Sequence, residues 1–386
     1  MEAARDHDIV LFGATGFTGA LTAEYLAAHA PAGTRWALAG RNLGKLEQLR
    51  ERLGVDVPLL KADVTDRRSI DDVAASARVV ITTVGPYVEY GEPLVAACAE
   101  HGTDYTDLTG EPEFVDRMFV KYHAQAQGSG ARLVHACGFD SIPHDLGARF
   151  TVEQLPEGVP LRLQGFVQAR GAFSGGTFAS ALTGFSRPRQ NVEAARERRR
   201  LEQRDGGRVA KAAMGRPHHQ DDINAWVLPF PSIDPQIIVR SARALDRYGP
   251  EFTYSHYIAV NNLPTALGLP VGVAGVFALA QLPPARKWLL NKVPSGSGPS
   301  QEKRASSWFR VRMYGEGGGK RVVCEVSGGD PGYTETAKML AESALCLATD
   351  DLPQTAGQAT TAQAMGAALQ ERLERGGIDF KVLEAA

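Results

Sequence analysis

Short apolar runs alternate with segments of helical periodicity over roughly the first third of the chain. The runs lie at Ile9–Phe12, Arg35–Gly40, Val57–Lys61, Arg78–Val84, Tyr105–Leu108 and Arg132–Ala136. Helices are predicted between them at Thr18–His29, up to Leu53, at Ser69–Ser76 and at Pro93–His101. Strands that are separated by helices pair in parallel and are covered on both faces. The pattern therefore predicts an α/β fold with a doubly wound parallel sheet in residues 1–150.

The pattern changes near residue 161, where apolar and polar side chains alternate along longer stretches. Strands are predicted at 161–169, 236–245, 252–260, 308–317 and 320–330. Alternation over such lengths favours a largely antiparallel sheet, so residues 151–330 are predicted to form an inserted α+β domain for substrate or dimer contacts. Residues 174–182 are either an ordinary helix start or a segment facing the reactants. Residues 331–386 are predicted to be helices that pack back on the first domain.

Composition limits the class of protein. The chain is 44% hydrophobic and 22% charged, with a net charge of −2, which is typical of a soluble protein and gives no sign of a nucleic-acid partner. Its four cysteines are scattered, without a C-x-x-C pair, so no metal site and no disulfide framework is predicted. A polar start that enters a strand directly predicts no signal peptide, and a cytoplasmic location follows.

The first predicted strand leads into a glycine-rich turn, "GATGFTG", and then into the first helix. Such a turn brings backbone N–H groups and the positive end of a helix against a pyrophosphate. Gly13 would permit the tight turn, Gly16 the approach of the phosphate, and Gly19 the close packing of helix on strand. The remaining residues of this predicted cofactor-binding loop are Ala14, Thr15, Phe17 and Thr18. In this context the motif predicts a Rossmann-type dinucleotide site, although a purely structural turn has the same letters.

The end of the second strand indicates which dinucleotide binds. An NAD site places an acidic residue there for the ribose hydroxyl, but this chain has Arg41 and Asn42. A guanidinium suits the additional 2′-phosphate, so NADP is the predicted cofactor. Asp63, after the third strand, is predicted to meet the adenine edge, or else to cap the helix that follows.

Two further loops are predicted at the same edge of the sheet. Gly85 and Pro86 follow the fourth strand and would pass beneath the nicotinamide ribose, with Tyr87 pointing into the cleft; a plain turn is the alternative. Asp140 and His144 follow the sixth strand, and with Tyr87 they are the candidate proton donors. The stretch around them also resembles a helix start, in which Ser141 is the cap. The chain has no Tyr-x-x-x-Lys pair, so the proton relay of short-chain dehydrogenases is not expected.

Residues 264–290 form an apolar segment, most of which lies in the stretch between Glu251 and Arg286 that contains no Asp, Glu, Lys or Arg. Its prolines leave only Val271–Leu282 uninterrupted, which is too short to span a bilayer. Cations and a tryptophan follow at once. The segment is predicted to be a peripheral membrane contact or a lid over an apolar substrate, or alternatively a domain or homodimer interface.

Residues 187–216 carry ten Lys or Arg and four Asp or Glu, an excess of six positive charges. A run of this kind is either a solvated helix face or a docking surface for an anionic partner, such as a carrier protein.

Several segments together extend the interpretation beyond the fold. "GATGFTG", "AGRN", "GPY", "DLTGE", "CGFDSIPHDLG" and "GDPGYTETAKML" resemble the saccharopine dehydrogenase-like oxidoreductases, and the chain is most similar to their actinobacterial trans-acting enoyl reductases. The resemblance covers nearly the whole chain. It implies NADPH-dependent reduction of a double bond in an acyl or polyketide thioester, held on a carrier protein or synthase, in lipid biosynthesis. A saccharopine-type amino-acid dehydrogenase and a lipid-associated NADP-binding protein without catalysis remain the alternatives.

Overall fold

The computed structural model describes residues 5–171, 182–184, 186–202, 208–292 and 298–385. Its strands are β1 His7–Phe12, β2 Trp36–Gly40, β3 Leu59–Lys61, β4 Ala77–Thr82, β5 Asp104–Thr106, β6 Arg132–Val134, β7 Leu161–Arg170, β8 Val209–Ala212, β9 His218–Gln220, β10 Ala225–Pro229, β11 Glu251–Val260, β12 Trp308–Gly317, β13 Lys320–Gly328, β14 Gly357–Ala359 and β15 Asp379–Ala385. Its helices are α1 Phe17–His29, α2 Leu43–Leu53, α3 Arg67–Ser76, α4 Tyr87–Tyr90, α5 Glu92–His101, α6 Pro112–Ser129, α7 Ile142–Val152, α8 Pro188–Leu201, α9 Asp234–Ala244, α10 Leu263–Ala280, α11 Pro283–Lys292, α12 Gln301–Ala305, α13 Thr334–Thr349, α14 Thr361–Ala364 and α15 Gly366–Arg375.

The first sheet has seven strands in the order β14-β6-β5-β4-β1-β2-β3, all parallel. From β1 the chain winds toward β2 and β3, whereas from β4 it winds toward β5 and β6. The predicted α/β, doubly wound Rossmann-type fold is confirmed. The switch of direction falls between β1 and β4, where ligands bind in sheets of this kind.

Caps and glycines define the helices that cover this sheet. The Asn42 side chain accepts a hydrogen bond from the Lys45 N–H and starts α2, which ends at Gly54 with a φ of 65°. The Asp66 carboxylate caps α3 in the same way. The strands between these helices are buried; every residue of β2, for example, lies below the surface. The local sequence thus sets where each helix begins and which strands are covered.

The second sheet has eight strands in the order β15-β13-β12-β7-β11-β10-β9, with β8 also paired to β11. It is mixed: β11 runs parallel to both β7 and β8, and the other pairs are antiparallel. The predicted strand at 236–245 is instead helix α9. Its apolar residues Ile237, Ile238 and Ala242 fit helical as well as extended spacing, and Asp234 and Pro235 supply a helix start.

The last fifty residues do not all pack on the first sheet as helices. Helix α13 does lie against α1 and β4, and β14 adds a strand beside β6. Strand β15 instead pairs with β13 at the edge of the second sheet. One buried cluster includes Leu11 and Ile81 of the first sheet and Val311 and Met313 of the second. The two sheets therefore share a continuous hydrophobic core.

The apolar helix is longer than the sequence predicts. It begins at Leu263, capped by the Asn262 side chain, and continues through Pro270 to Ala280. A proline within a helix removes one backbone hydrogen bond, which does not stop this helix. It has a mean hydropathy of 1.8 over 18 residues, of which 11% are buried. By length and composition alone it is a candidate membrane helix.

Candidate functional site

The glycine turn lies at the switch point of the first sheet. Gly13 has a φ of +86°, and a Cβ there would lie 2.7 Å from the Val84 side chain. A Cβ on Gly19 would lie 2.3 Å from the Gly13 carbonyl oxygen, so α1 packs directly on the turn. At Gly16 the nearest such contact is 3.4 Å, and Gly16 is exposed. Gly13 and Gly19 thus permit close packing within the turn, whereas Gly16 leaves space for a ligand.

Gly16 is also the N-cap of α1, and no side chain caps this end of the helix. The first N–H groups of a helix have no partner within it, and they are available to a pyrophosphate. Thr15 is exposed, Thr18 is half-buried and Ala14 is buried. The ring of Phe17 packs edge-on against Tyr333, with the centroids 4.8 Å apart.

Arg41 and Asp63 lie near each other beyond the second and third strands. Arg41 is exposed. The Thr65 N–H and hydroxyl, followed by the Arg41 charge, lower the pKa of the Asp63 carboxyl. Asp63 therefore shapes its own turn, and Asn42 caps α2. The helix that follows Asp63 is capped by Asp66 instead, and Arg41 remains the predicted contact for a 2′-phosphate.

Tyr87 does not point into the cleft as expected. It is 5% exposed, its hydroxyl donates to the Thr82 carbonyl at 3.2 Å, and the Leu108 N–H donates to that hydroxyl at 3.1 Å. Burial, followed by the charge of Asp107, keeps the pKa of this phenol well above its usual value. Because the hydroxyl already donates one hydrogen bond and accepts another, Tyr87 is a structural residue and is not available as an acid.

The loop of Gly85 and Pro86 is fixed from the next strand. The Glu111 carboxylate accepts hydrogen bonds from the Tyr87 N–H at 3.0 Å and the Val88 N–H at 2.8 Å. Glu111 is 4% exposed, so this carboxylate is a buried part of the loop. The "GPY" and "DLTGE" segments are therefore held together at one edge of the sheet.

Asp107 connects this edge to the loop after β6. Its carboxylate accepts four hydrogen bonds: from the Tyr105 hydroxyl, from His135 Nδ1 at 2.7 Å, and from the Thr109 and Ala136 N–H groups. Ala136 has a φ of 60°, which is costly for alanine. Asp107 stabilises this turn and so positions the residues that follow it.

Asp140 is the predicted proton donor that the structure keeps accessible. It is half-buried, and a Cβ on Gly110 would lie 3.3 Å from its Oδ1. Burial, followed by the negative charge of Asp234, raises the pKa of the Asp140 carboxyl to about 7. A carboxyl with this pKa carries a proton over much of the neutral range.

His144 lies in a different environment, within a buried polar group. It is 2% exposed, and its Nδ1 is 3.1 Å from the Oδ1 of Asp234. His256 approaches the other oxygen of Asp234, at 3.4 Å. Ser141 is the N-cap of α7 as predicted, but its side chain does not cap; its hydroxyl is 3.5 Å from Asp234.

The "GDPGYTE" segment closes the site from the C-terminal part of the chain. The Asp330 carboxylate accepts a hydrogen bond from the Thr334 N–H and leads into α13. The Phe139 N–H donates to the Thr336 hydroxyl at 3.1 Å. With the contact between Phe17 and Tyr333, these bonds join the segment to both the glycine turn and the Asp140 loop.

Several groups near the site were not predicted from the sequence. Arg304 lies with its guanidinium carbon 5.5 Å from the centre of the Phe17 ring. Its Nε and one terminal nitrogen are buried without a hydrogen-bond partner among the described residues. No motif marks Arg304, Asp234 or His256, because each comes from a different element of the second half of the chain.

The arginine-rich segment contains structural as well as exposed cations. Arg187 makes a two-bond ion pair with the buried Glu113, and Arg198 is buried against Glu202 and the Phe119 ring. The arginines of α8 that are exposed are Arg189, Arg196, Arg199 and Arg200. The predicted helix start at 174–182 lies, apart from Leu182, outside the described residues.

Comparisons with known proteins agree with this geometry. Residues 9–134 match the family model described as the saccharopine dehydrogenase NADP binding domain. A Mycobacterium ulcerans protein named trans-acting enoyl reductase is 36% identical, over 97% of each chain. A Mycobacterium tuberculosis protein, 39% identical over 99% of each chain, carries the same name with a provisional qualifier. Saccharopine dehydrogenase (L-Glu forming) from Saccharomyces cerevisiae has the same fold, with a TM-score of 0.61 at 12% identity over 98% of this chain and 99% of that chain. The predicted resemblance and the NADP cofactor are confirmed.

Proposed function

Because the chain belongs to the family of trans-acting enoyl reductases, we propose that it reduces the carbon–carbon double bond of an acyl or polyketide thioester. The chain is an NADP-dependent oxidoreductase. The proposal adds the substrate: an α,β-unsaturated acyl chain in lipid biosynthesis, presented on a carrier protein or a synthase. The exposed arginines of α8 are the proposed contact for an acidic carrier.

One observation supports the reaction most directly: Asp140 offers a carboxyl that holds a proton near pH 7, at the edge of the sheet where the cofactor loops end. Bound NADPH supplies the hydride for the β-carbon. The reduced thioester then needs a proton at its α-carbon, and Asp140 is the proposed donor. Gly110 and Gly138 leave room around this carboxyl, since a Cβ on either would lie within 3.4 Å of it.

The reaction can be tested with an unsaturated acyl thioester of N-acetylcysteamine and NADPH in D₂O. The expected product is the saturated thioester with one deuterium at the α-carbon. Asp140→Asn should lower the rate about 10²–10⁴-fold without changing NADPH affinity, whereas the exposed control Asp379→Asn should match wild type. Consumption of NADPH with a 2-oxo acid and an amino acid instead would contradict the proposal and favour an amino-acid dehydrogenase.

The proposed location is the cytoplasm, in peripheral contact with the inner face of the plasma membrane. On α10, Leu267 is 66% and Val271 is 73% exposed, and Trp288 follows on α11 at 57%. No acidic residue occurs from Leu263 to Lys292, while Arg286 and Lys287 flank the apolar helix. Apolar side chains beside cations suit an anionic lipid surface.

The topology argues for lying on a membrane and against crossing it. Strand β11 precedes α10 and strand β12 follows α11, and both belong to the second sheet, on either side of β7. The chain must therefore return to the side from which it left. A helix of 18 residues is long enough to span hydrocarbon, but a single crossing would separate two strands of one sheet.

Sedimentation with vesicles tests the contact. Wild type should pellet with vesicles that contain anionic phospholipid and should remain in solution with neutral vesicles. Replacing Leu267 and Val271 with glutamate should abolish pelleting, while the control Met214→Glu, at a site 93% exposed and outside the helix, should not. If the double variant instead converts a wild-type dimer into a monomer, the helix is a subunit interface.

A further inference from the structure

Three residues from distant parts of the chain meet in the interior, between the first sheet and the second. His144 belongs to α7, Asp234 begins α9 and His256 lies in β11. All three are buried, at 2%, 4% and 4% exposure. One nitrogen from each histidine and one carboxylate oxygen lie within 4.8 Å of one another. A set of two imidazoles and a carboxylate in the interior requires an explanation, because such groups are costly to bury without partners.

Hydrogen bonding does not supply that explanation. Both ring nitrogens of His144 and the Nε2 of His256 have no hydrogen-bond partner among the described residues. Yet two of these nitrogens are close to Asp234 oxygens, at 3.1 and 3.4 Å. A bound cation would give these nitrogens a partner that the described residues do not supply.

The distances fit such a centre. Ligands bound at about 2.0–2.1 Å to a tetrahedral ion lie about 3.3 Å from each other. The separation of His144 Nδ1 from Asp234 Oδ1, 3.1 Å, is close to this value, and one ligand atom from each of the three residues lies within 4.8 Å of the others. We propose that His144, Asp234 and His256 bind a divalent transition-metal ion, with Zn²⁺ as the ion that best suits two nitrogens and one oxygen.

Surrounding side chains orient two of the three ligands. The Tyr254 hydroxyl is 2.8 Å from the Nδ1 of His256, which leaves Nε2 to face the ion. The Ser232 hydroxyl donates to the second oxygen of Asp234. Ring nitrogens and carboxylates of metal ligands are commonly oriented by bonds of this kind. Phe139 and Phe230 flank the two histidines and keep the site apolar.

Charge balance points the same way. Among the described residues, the ion pairs of Asp234 are with His144 and His256, and none is with a lysine or arginine. A divalent cation would compensate the buried negative charge of this carboxylate. Hard ions such as Mg²⁺ prefer an all-oxygen set, so they should not compete. The ion would tie α7, which follows the first sheet, to β11 of the second sheet.

The inference is tested by metal content and stability, which are measured without the reaction. Protein stripped with a chelator and dialysed against Zn²⁺ should retain one equivalent per chain and melt at a higher temperature than the stripped form. Excess Mg²⁺ should not displace the ion. His256→Gln and Asp234→Asn should lose the bound equivalent and the Zn²⁺-dependent rise in melting temperature.

Two further variants make the result decisive. His135 is also a buried histidine beside a carboxylate, at 2.7 Å from Asp107, so His135→Gln is the matched control and should keep the metal. Tyr254→Phe removes only the orienting hydroxyl and should weaken Zn²⁺ binding about 10–100-fold. If His256→Gln does not fold, Tyr254→Phe still reports on the site. A wild type that retains no stoichiometric Zn²⁺, or His256→Gln and Asp234→Asn variants that keep it, would overturn the proposal.

Discussion

Gly16 and Gly19 lie three positions apart in one turn, yet a side chain at each should have opposite consequences. At Gly16 the backbone has a φ of −73°, which any residue adopts, and a Cβ would meet only the Gly13 oxygen at 3.4 Å. Replacing this N-cap glycine by valine should lower the free energy of unfolding by at most about 1 kcal/mol. The fold should therefore survive Gly16→Val.

The same Gly16→Val substitution should strongly weaken NADPH binding. The valine side chain would occupy the exposed space in front of the first N–H groups of α1, where a pyrophosphate would be held. Each hydrogen bond to a charged group contributes about 1.5–3 kcal/mol, so losing two of them costs about 3–6 kcal/mol. The affinity for NADPH should fall roughly 10²–10⁴-fold.

Gly19→Ala should instead affect stability more than NADPH binding. Its Cβ would lie 2.3 Å from the Gly13 oxygen and 2.9 Å from the Thr83 hydroxyl oxygen, so helix and turn must separate. Overpacking of this kind costs about 1–3 kcal/mol, which thermal denaturation will detect. Calorimetric titration with NADPH then separates the two effects. If Gly16→Val is folded and binds NADPH as wild type does, the turn is only a connection and the reasoning fails.

Further predictions concern three side chains. Arg41→Asp should weaken NADPH binding by about 1.5–3 kcal/mol and spare NADH in titrations of both cofactors; equal wild-type affinity for the two would refute this role. Because the pKa of Asp140 is raised to about 7, the rate of enoyl reduction should fall as the pH rises through 7. Because the pKa of this carboxyl is higher in the folded than in the unfolded chain, the free energy of unfolding falls as the pH rises from its ordinary pKa to about 7. Asp140→Asn removes this loss, so it should stabilise the protein more at pH 8 than at pH 5 in urea denaturation. Asp107→Ala should lower the free energy of unfolding by about 3–5 kcal/mol in the same assay, and Asp107→Asn should lower it less. An unchanged unfolding midpoint would contradict the four hydrogen bonds assigned to Asp107.

Patterns that repeat locally predict six of the seven strands of the first sheet and its glycine turn, but not β14, which comes from the C-terminal part of the chain. Apolar runs separated by helices predict the parallel strands, and the spacing of Gly13, Gly16 and Gly19 predicts their separate contacts, since each depends on a few neighbouring residues. The second sheet was harder to predict. The stretch at 236–245 fits a helix or a strand, and only its packing beside β8 and β11 decides between them.

The side-chain roles that were missed depend on contacts between distant residues. The sequence identified Tyr87 but not the Leu108 N–H that occupies its hydroxyl. It identified His144 but not Asp234 and His256, which come from α9 and β11. Similarly, Pro270 was expected to interrupt the apolar segment, but the helix continues through it, because the loss of one backbone hydrogen bond does not break the helix. The sequence resemblance indicated that "CGFDSIPHD" matters without indicating what it contacts.

The return of α13 and β14 to the first sheet has a consequence for synthesis on the ribosome. Helix α13 covers part of a face of that sheet with buried residues such as Met339, Leu340 and Leu345, and β14 supplies its last strand. Until these residues emerge, the nascent NADP-binding half exposes an apolar face and an unpaired strand edge, both of which favour aggregation. The growing chain should therefore depend on a chaperone for most of its translation, and a ribosome-bound intermediate that ends before residue 334 should fail to bind NADPH.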